Sequence, residues 1–392
     1  MSDSQYNTLT ELTAAYWPVL VAAFGVSLLM TPWCRKVALA RGIVDRPDDW
    51  LKPHEKPIPY LGGVAIFLGW AAGLAVAMAR FTWTTGPEDT FADTPSMNMT
   101  TMAGVLLAGA MITALGLVDD LRAIRPKVKL ALSIVVAFVV IGFGVGDDVL
   151  RAFSSTSQLR LSDQGRWILL VYSMPVSVFI IVGACNATNL IDGLDGLCSG
   201  VLGIISTGFL ILAVWMHLHS RWAPQETHRV IISLSLLGAS FGFLPFNRNP
   251  ARIFMGDAGS MLLGLNAAVL LLMFADEPGV QWMMGSLMIF GLPIADMMLT
   301  LARRWRAQRP LMEGDRSHFY DQLIDRGMSV RQVVRISYVS TGSFVIVGLL
   351  PVVLRTRYLF LAYGGFVALV AYLIHHFKMV RVDPPGAPSG DS

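Results

Sequence analysis

Charge is scarce in this chain. Of its 392 residues only 15% are Asp, Glu, Lys or Arg, while 54% are hydrophobic, and the mean hydropathy is +0.57. That little charge cannot clothe a soluble body of this size, which excludes an ordinary water-soluble globule and makes a bilayer the expected solvent. Cysteine is scarce too. Cys34, Cys185 and Cys198 show no CxxC or Cys/His spacing, so neither a disulfide framework nor a zinc site is expected. The formal net charge of +3 is too small to imply a nucleic-acid partner, and the basic residues form no single run. No basic segment precedes the first apolar stretch and no small-residue cleavage site follows it, so that stretch is expected to stay as an anchor.

What the chain has instead is long apolar runs. A hydrocarbon core of about 30 Å takes about 20 helical residues, and about eleven stretches qualify. They lie near 15–35, 61–80, 101–118, 128–146, 167–185, 197–217, 229–246, 258–275, 282–301, 335–354 and 358–376. Irregular backbone cannot face lipid, so the expected fold is all-α, a polytopic transmembrane helical bundle. One integral-membrane domain is expected over 1–376, with the polar Pro- and Gly-rich end at 377–392 as a disordered tail. With the N-terminus outside and the C-terminus cytoplasmic, about 22 Lys and Arg fall inside against about 8 outside, the asymmetry that orients membrane proteins.

Under that topology every suspicious acidic cluster falls on the cytoplasmic side. Asp119 and Asp120 close the third apolar stretch, where adjacent carboxylates raise each other's pKa unless a cation lies close. They could equally be solvated acids at a helix end. Asn189, Asp192 and Asp195 recur at every third position, which a helical turn would place on one face; Asp-Gly pairs also punctuate turns. Asp257 follows Gly256 at the start of the eighth stretch. There a helix N-terminus with free N–H groups favours phosphate oxygens and a carboxylate can hold magnesium, or the residue is a plain N-cap. Phe254 either stacks on a base or packs. Lys52, Lys127, Lys129, Arg252 and Arg316 suit phosphates, although topology alone accounts for cytoplasmic basic residues. Asp296, inside the ninth stretch, needs a cavity or a partner, and Arg303 and Arg304 on the next turns are the candidates. His54 and His318 stand alone, a pattern more often structural than catalytic.

Taken in order, the segments Gly62-Gly63, Asp119-Asp120, Asn189-Leu-Ile-Asp192-Gly-Leu-Asp195 and Phe254-Met-Gly-Asp257 resemble the polyprenyl-phosphate N-acetylhexosamine-1-phosphate transferases, over about Asp45 to Leu323. The resemblance implies a catalytic set of Asp119, Asp120, Asp192 and Asp195, with Asp119 as the base. It implies magnesium, or manganese in its place, near Asp257 and Asp120. It further implies Asn189, Asn247 and Phe254 near the nucleotide, Lys52, Lys127 and Lys129 as basic contacts, and a last large loop with Arg303, Arg304, Asp315, Arg316 and His318 that bears on the sugar. That loop departs from the family pattern at Tyr320 and Asp321, where a His-His is expected. The implied partners are a UDP-N-acetylhexosamine, a polyprenyl phosphate, the bilayer and a second copy of the chain as a homodimer, with the enzyme in the inner membrane and its site facing the cytoplasm. The implied chemistry is attack of the lipid phosphate on the β-phosphate of the UDP-sugar with loss of UMP, directly or through a carboxylate phosphoryl-enzyme. Positioning and charge neutralisation dominate such transfers. The rival class is a transporter using the aspartates as an ion relay, but such groups usually sit at mid-membrane between repeated halves, and no repeat is present.

Overall fold

A computed structural model describes residues 9–45, 57–84, 99–147, 149–150, 163–219, 223–277, 279–308 and 318–380. Thirteen α-helices lie among them: α1 (Leu9–Ala40), α2 (Gly62–Thr84), α3 (Met99–Arg122), α4 (Pro126–Gly142), α5 (Asp163–Ile191), α6 (Leu197–His219), α7 (Ala223–Asn247), α8 (Gly256–Ala275), α9 (Val280–Ile289), α10 (Gly291–Arg306), α11 (Phe319–Asp325), α12 (Val330–Gly348) and α13 (Thr356–His376). Each of the eleven apolar stretches contains an α-helix, though those expected at 128–146 and 335–354 leave it at Gly142 and Gly348. Nine helices among the described residues are long and apolar enough to cross a membrane, or ten if α9 and α10 count as one span.

The two remaining differences have local causes. The stretch expected at 282–301 is bent by 71° between α9 and α10. Pro293 lacks the N–H that would bond to Ile289 and its ring collides with that carbonyl, so a continuous helix fails there. Helix α4 has 17 residues, about 26 Å at 1.5 Å per residue, short of a full hydrocarbon core. Its start is set by Pro126 at the first helical position, where a missing N–H costs nothing.

Helix α8 is the axis of the bundle. From Ala258 to Ala275 every residue is buried, as expected of a helix that is apolar on all sides. At one end of the bundle the C-terminal ends of α1, α3, α5 and α7 meet the N-terminal ends of α2, α4, α6 and α8. A two-residue ribbon lies at this end. β1 (Val44–Asp45) pairs antiparallel with β2 (Ile58–Pro59), Val44 opposite Pro59 and Asp45 opposite Ile58. Residues 254–255 extend it, through Phe254 N–H to the Pro59 carbonyl at 2.9 Å, Gly62 N–H to the Phe254 carbonyl at 3.0 Å and Gly63 N–H to the Met255 carbonyl at 2.9 Å.

Candidate active site

The site grows from the first turn of α8. Gly256 has φ +65°, and a Cβ there would lie 2.5 Å from an Asp120 carboxylate oxygen. Only glycine meets both demands. On α3, Gly116 lies against α8 so closely that a Cβ would fall 2.4 Å from the Ala258 nitrogen. One turn further along α3, Asp120 therefore reaches the α8 terminus. Its Oδ1 accepts the Asp257 N–H at 2.8 Å and its Oδ2 the Ala258 N–H at 3.2 Å. Two of the N–H groups at this helix start, expected to be free, are thus already occupied by a carboxylate that suits the positive end of the helix dipole. The plain N-cap role falls to Met255, without a side-chain bond, and not to Asp257.

Asp257 projects from that turn toward Lys129 and Asn189. Lys129 bonds to Asp257 Oδ2, and its Nζ lies 2.8 Å from Asp119 Oδ2. The Asn189 amide donates to Asp257 Oδ1 at 2.8 Å and to Ser260 Oγ at 3.0 Å. Asp119 Oδ1 accepts the Ile124 N–H at 2.6 Å, so both of its oxygens are engaged. Lys129 thus joins two carboxylates of different helices, whereas Lys127, two residues earlier, is exposed.

The Asn189–Asp195 segment does not form one helical face. Helix α5 ends at Ile191 and the chain turns, with Gly196 at φ +78°. Asp195 is drawn to the neighbouring loop, where its Oδ2 accepts from the Asn249 amide at 3.0 Å and the Ala251 N–H at 2.9 Å. Asn247 is likewise committed to the scaffold. It is buried, accepts from Gly196 N–H at 3.1 Å and Ser199 Oγ at 3.0 Å, and donates to the Ile253 carbonyl at 3.2 Å. Asp192 has no side-chain hydrogen bond among the described residues. Burial, and after it the charges of Asp257, Asp120 and Asp195, hold its pKa well above the usual carboxylate range.

Several of these groups, though not Asp119 or Lys129, face one cavity of about 790 Å³, a size typical of small-molecule sites. Asp120, Asn189, Asp192, Asp195, Asn247, Phe254 and Asp257 line it, and so do Arg35, Tyr60 and Arg252. Phe254 packs edge-on against Tyr60 with ring centroids 6.0 Å apart, and it also lines the cavity. Arg35, at the end of the first apolar stretch, and Tyr60, just before the second, carried no sequence signal for a site. Arg35 is oriented by its Nε bond to the Arg252 carbonyl at 3.1 Å.

The last loop contributes differently. Arg303 and Arg304 sit in the last turn of α10 and do not line the cavity. Asp296 is held not by them but by His318, whose Nδ1 lies 2.9 Å from Asp296 Oδ2, and by the Phe319 N–H at 2.9 Å. The pairing brings the C-terminal half of the broken span against the start of α11, a contact that spacing along one helix cannot reveal. Lys52, Asp315 and Arg316 lie outside the described residues.

The family-implied magnesium has suitable donors here. Among the described residues no three Asp, Glu, His or Cys side chains form a ready-made cage, yet magnesium commonly takes one or two carboxylates and fills its sphere with water and substrate phosphate. Asp192, without a hydrogen-bond partner, meets that need. Asp257 and Asp120 each have both oxygens hydrogen-bonded, and either would hold the ion through a remaining lone pair.

Residues 102–275 match Glycosyl transferase family 4. A probable undecaprenyl-phosphate N-acetylglucosaminyl 1-phosphate transferase of Bacillus subtilis is 33% identical over 326 residues, which cover 81% of each chain. The chain belongs to the polyprenyl-phosphate N-acetylhexosamine-1-phosphate transferase family. A second relative in this transferase family is the decaprenyl-phosphate N-acetylglucosaminephosphotransferase of Mycolicibacterium smegmatis, 31% identical over 81% of this chain and 77% of its own. The phospho-N-acetylmuramoyl-pentapeptide-transferase of Chloroherpeton thalassium is also 31% identical, over 56% of this chain and 59% of its own. The family match spans α3 through α8 and so contains Asp119, Asp120, Lys129, Asn189, Asp192 and Asp257. This multi-pass membrane protein is therefore a phosphoglycosyltransferase, not a transporter.

Proposed function

We propose that the enzyme transfers N-acetylglucosamine-1-phosphate from UDP-N-acetylglucosamine to undecaprenyl phosphate at the cytoplasmic face of the inner membrane, which starts a cell-envelope polysaccharide. One observation carries this reading. The residues matched to a family of such transferases converge from α3, α5 and α8 on one cavity at one end of the bundle, with Lys129 of α4 bonded to Asp257 at its edge. The cytoplasmic assignment draws support from Arg35, Lys36, Arg122, Arg125, Lys127 and Lys129, which cluster at that same end.

A phosphate monoester has a second pKa near 6, so the lipid phosphate is mostly dianionic at neutral pH and needs little help from a base. Asp119, with both oxygens engaged, serves better as the group that keeps Lys129 aimed at Asp257 than as that base. Lys129 supplies positive charge beside the reacting phosphates, and Asn189 fixes the rotamer of Asp257. Magnesium, held by Asp192 and Asp257, would neutralise phosphate charge as it builds on the departing UMP. The products are UMP and a lipid-linked pyrophosphate sugar. Arg35 and Arg252 line the cavity beyond Phe254 and offer further contacts to anionic substrate.

Purified protein given undecaprenyl phosphate, magnesium and a panel of UDP-sugars tests the proposal. The expected result is UMP release that requires the prenyl phosphate and is fastest with UDP-N-acetylglucosamine. No release with any UDP-sugar would overturn it.

A further inference from the structure

By the family resemblance Tyr320 stands where the expected loop pattern breaks, and the structure gives that position a task. The side chain is 5% exposed and its hydroxyl donates to the Leu190 carbonyl at 2.9 Å. Leu190 is in the last turn of α5, where carbonyls have no partner within the helix. The loop leaves no slack at this point. A Cβ on Gly193 would lie 2.1 Å from the Tyr320 hydroxyl and 2.5 Å from its Cζ, so with tyrosine at 320 only glycine fits at 193.

The ring is anchored from behind. It stacks on His318 with centroids 5.2 Å apart and planes 10° from parallel. His318 Nδ1 reaches Asp296 Oδ2 at 2.9 Å and Thr300 Oγ1 at 3.2 Å. Asp321, the other departure, accepts the His318 N–H at 3.2 Å and so closes the first turn of α11. Burial, then Asp321, Asp296 and Asp192, keep the phenol well above its ordinary pKa, so it remains a donor at any working pH.

We propose that Tyr320 is a positioning residue for the transfer reaction, which braces the Leu190–Gly193 turn from behind so that Asp192 faces Asp257 across the cavity, with Asp296 and His318 on the broken span as its anchor. The functional part of this inference rests on the transferase reading above. The brace itself does not.

Hydrogen exchange and steady-state kinetics on the full chain in detergent test both parts. In Tyr320→Phe the ring stays and the donor is lost. Amides 190–195 should exchange faster while those of α8 keep their protection. The kcat should fall on the order of tenfold, the scale of one hydrogen bond, with KM for the UDP-sugar within about twofold. Tyr320→His restores a donor and should recover part of that kcat. Gly193→Ala, whose Cβ must displace the same hydroxyl, should give the same local rise in exchange, and it serves should Tyr320→Phe fail to fold. Unchanged exchange at 190–195 in the variants, or equal losses in Phe and His with protection falling throughout, would overturn the brace. Faster local exchange in a protein whose wild type makes no lipid-linked product would leave the brace standing and remove the transferase reading instead.

Discussion

The Asp120 carboxylate on α3 holds the backbone N–H of Asp257 at 2.8 Å and that of Ala258 at 3.2 Å, so one acid fixes the helix start from which the other projects. The adjacent pair Asp119-Asp120 thereby divides into two tasks. Asp120 caps α8, and Asp119 pairs with Lys129. Neither task requires the two carboxylates to share one ion.

Asp120→Ala should therefore cost stability as well as activity. Losing a side-chain cap at a helix N-terminus costs about 1 kcal/mol, and up to about 2 in tight settings. Thermal unfolding in detergent is expected to show a fall in Tm of a few degrees. Asp120→Asn keeps an acceptor oxygen and should recover about half of that loss. Equal Tm values for the wild type and Asp120→Ala would refute the cap.

Gly116 tests the packing that delivers Asp120. Gly116→Ala puts a methyl 2.4 Å from a backbone nitrogen of α8, and the two helices must separate, at a cost of roughly 1–3 kcal/mol. Activity should fall with it. Gly142→Ala, where nothing lies within 4 Å of the new Cβ, is the matched control and should leave both Tm and rate near wild type.

Lys129→Met removes the cation between Asp119 and Asp257. Breaking a partly buried pair of this kind leaves like charges unrelieved, and a loss on the order of a hundredfold in kcat, about 3 kcal/mol, is expected. Lys129→Arg should recover little, because a planar fork cannot replace a compact ammonium held by two acids from different helices. An arginine variant with near wild-type turnover would count against the geometry.

Asp192 supplies a test in pH and metal together. Its pKa is raised in the folded chain by burial and by neighbouring acids, so the native state binds this proton more tightly than the unfolded state. The sign follows by linkage. Without metal, Asp192 weakens the fold as pH rises above the ordinary carboxylate range, and it has no such effect below that range. In chelator, Asp192→Asn should therefore melt higher than wild type at pH 8, and the two should converge near pH 4. Added magnesium should raise the wild-type Tm at pH 8 and do much less for the variant. A magnesium response of equal size in both would remove Asp192 from the metal site.

The sequence by itself determined the bundle, because lipid demands long apolar helices and permits no other spanning architecture for such runs. It also held the acids that matter, since carboxylates at helix ends and beside glycines are legible without coordinates. Spacing misled where a partner came from elsewhere in the chain. Asp296 has Arg303 and Arg304 nearby in sequence but binds His318 and the Phe319 N–H, and Asn189, Asp192 and Asp195 share a period but not a face. Only the tertiary structure decided which acid is free, which is a cap and which is paired. Hydrogen bonds are satisfied by whatever the fold brings within about 3 Å, and here those partners lie on helices tens to more than a hundred residues away along the chain.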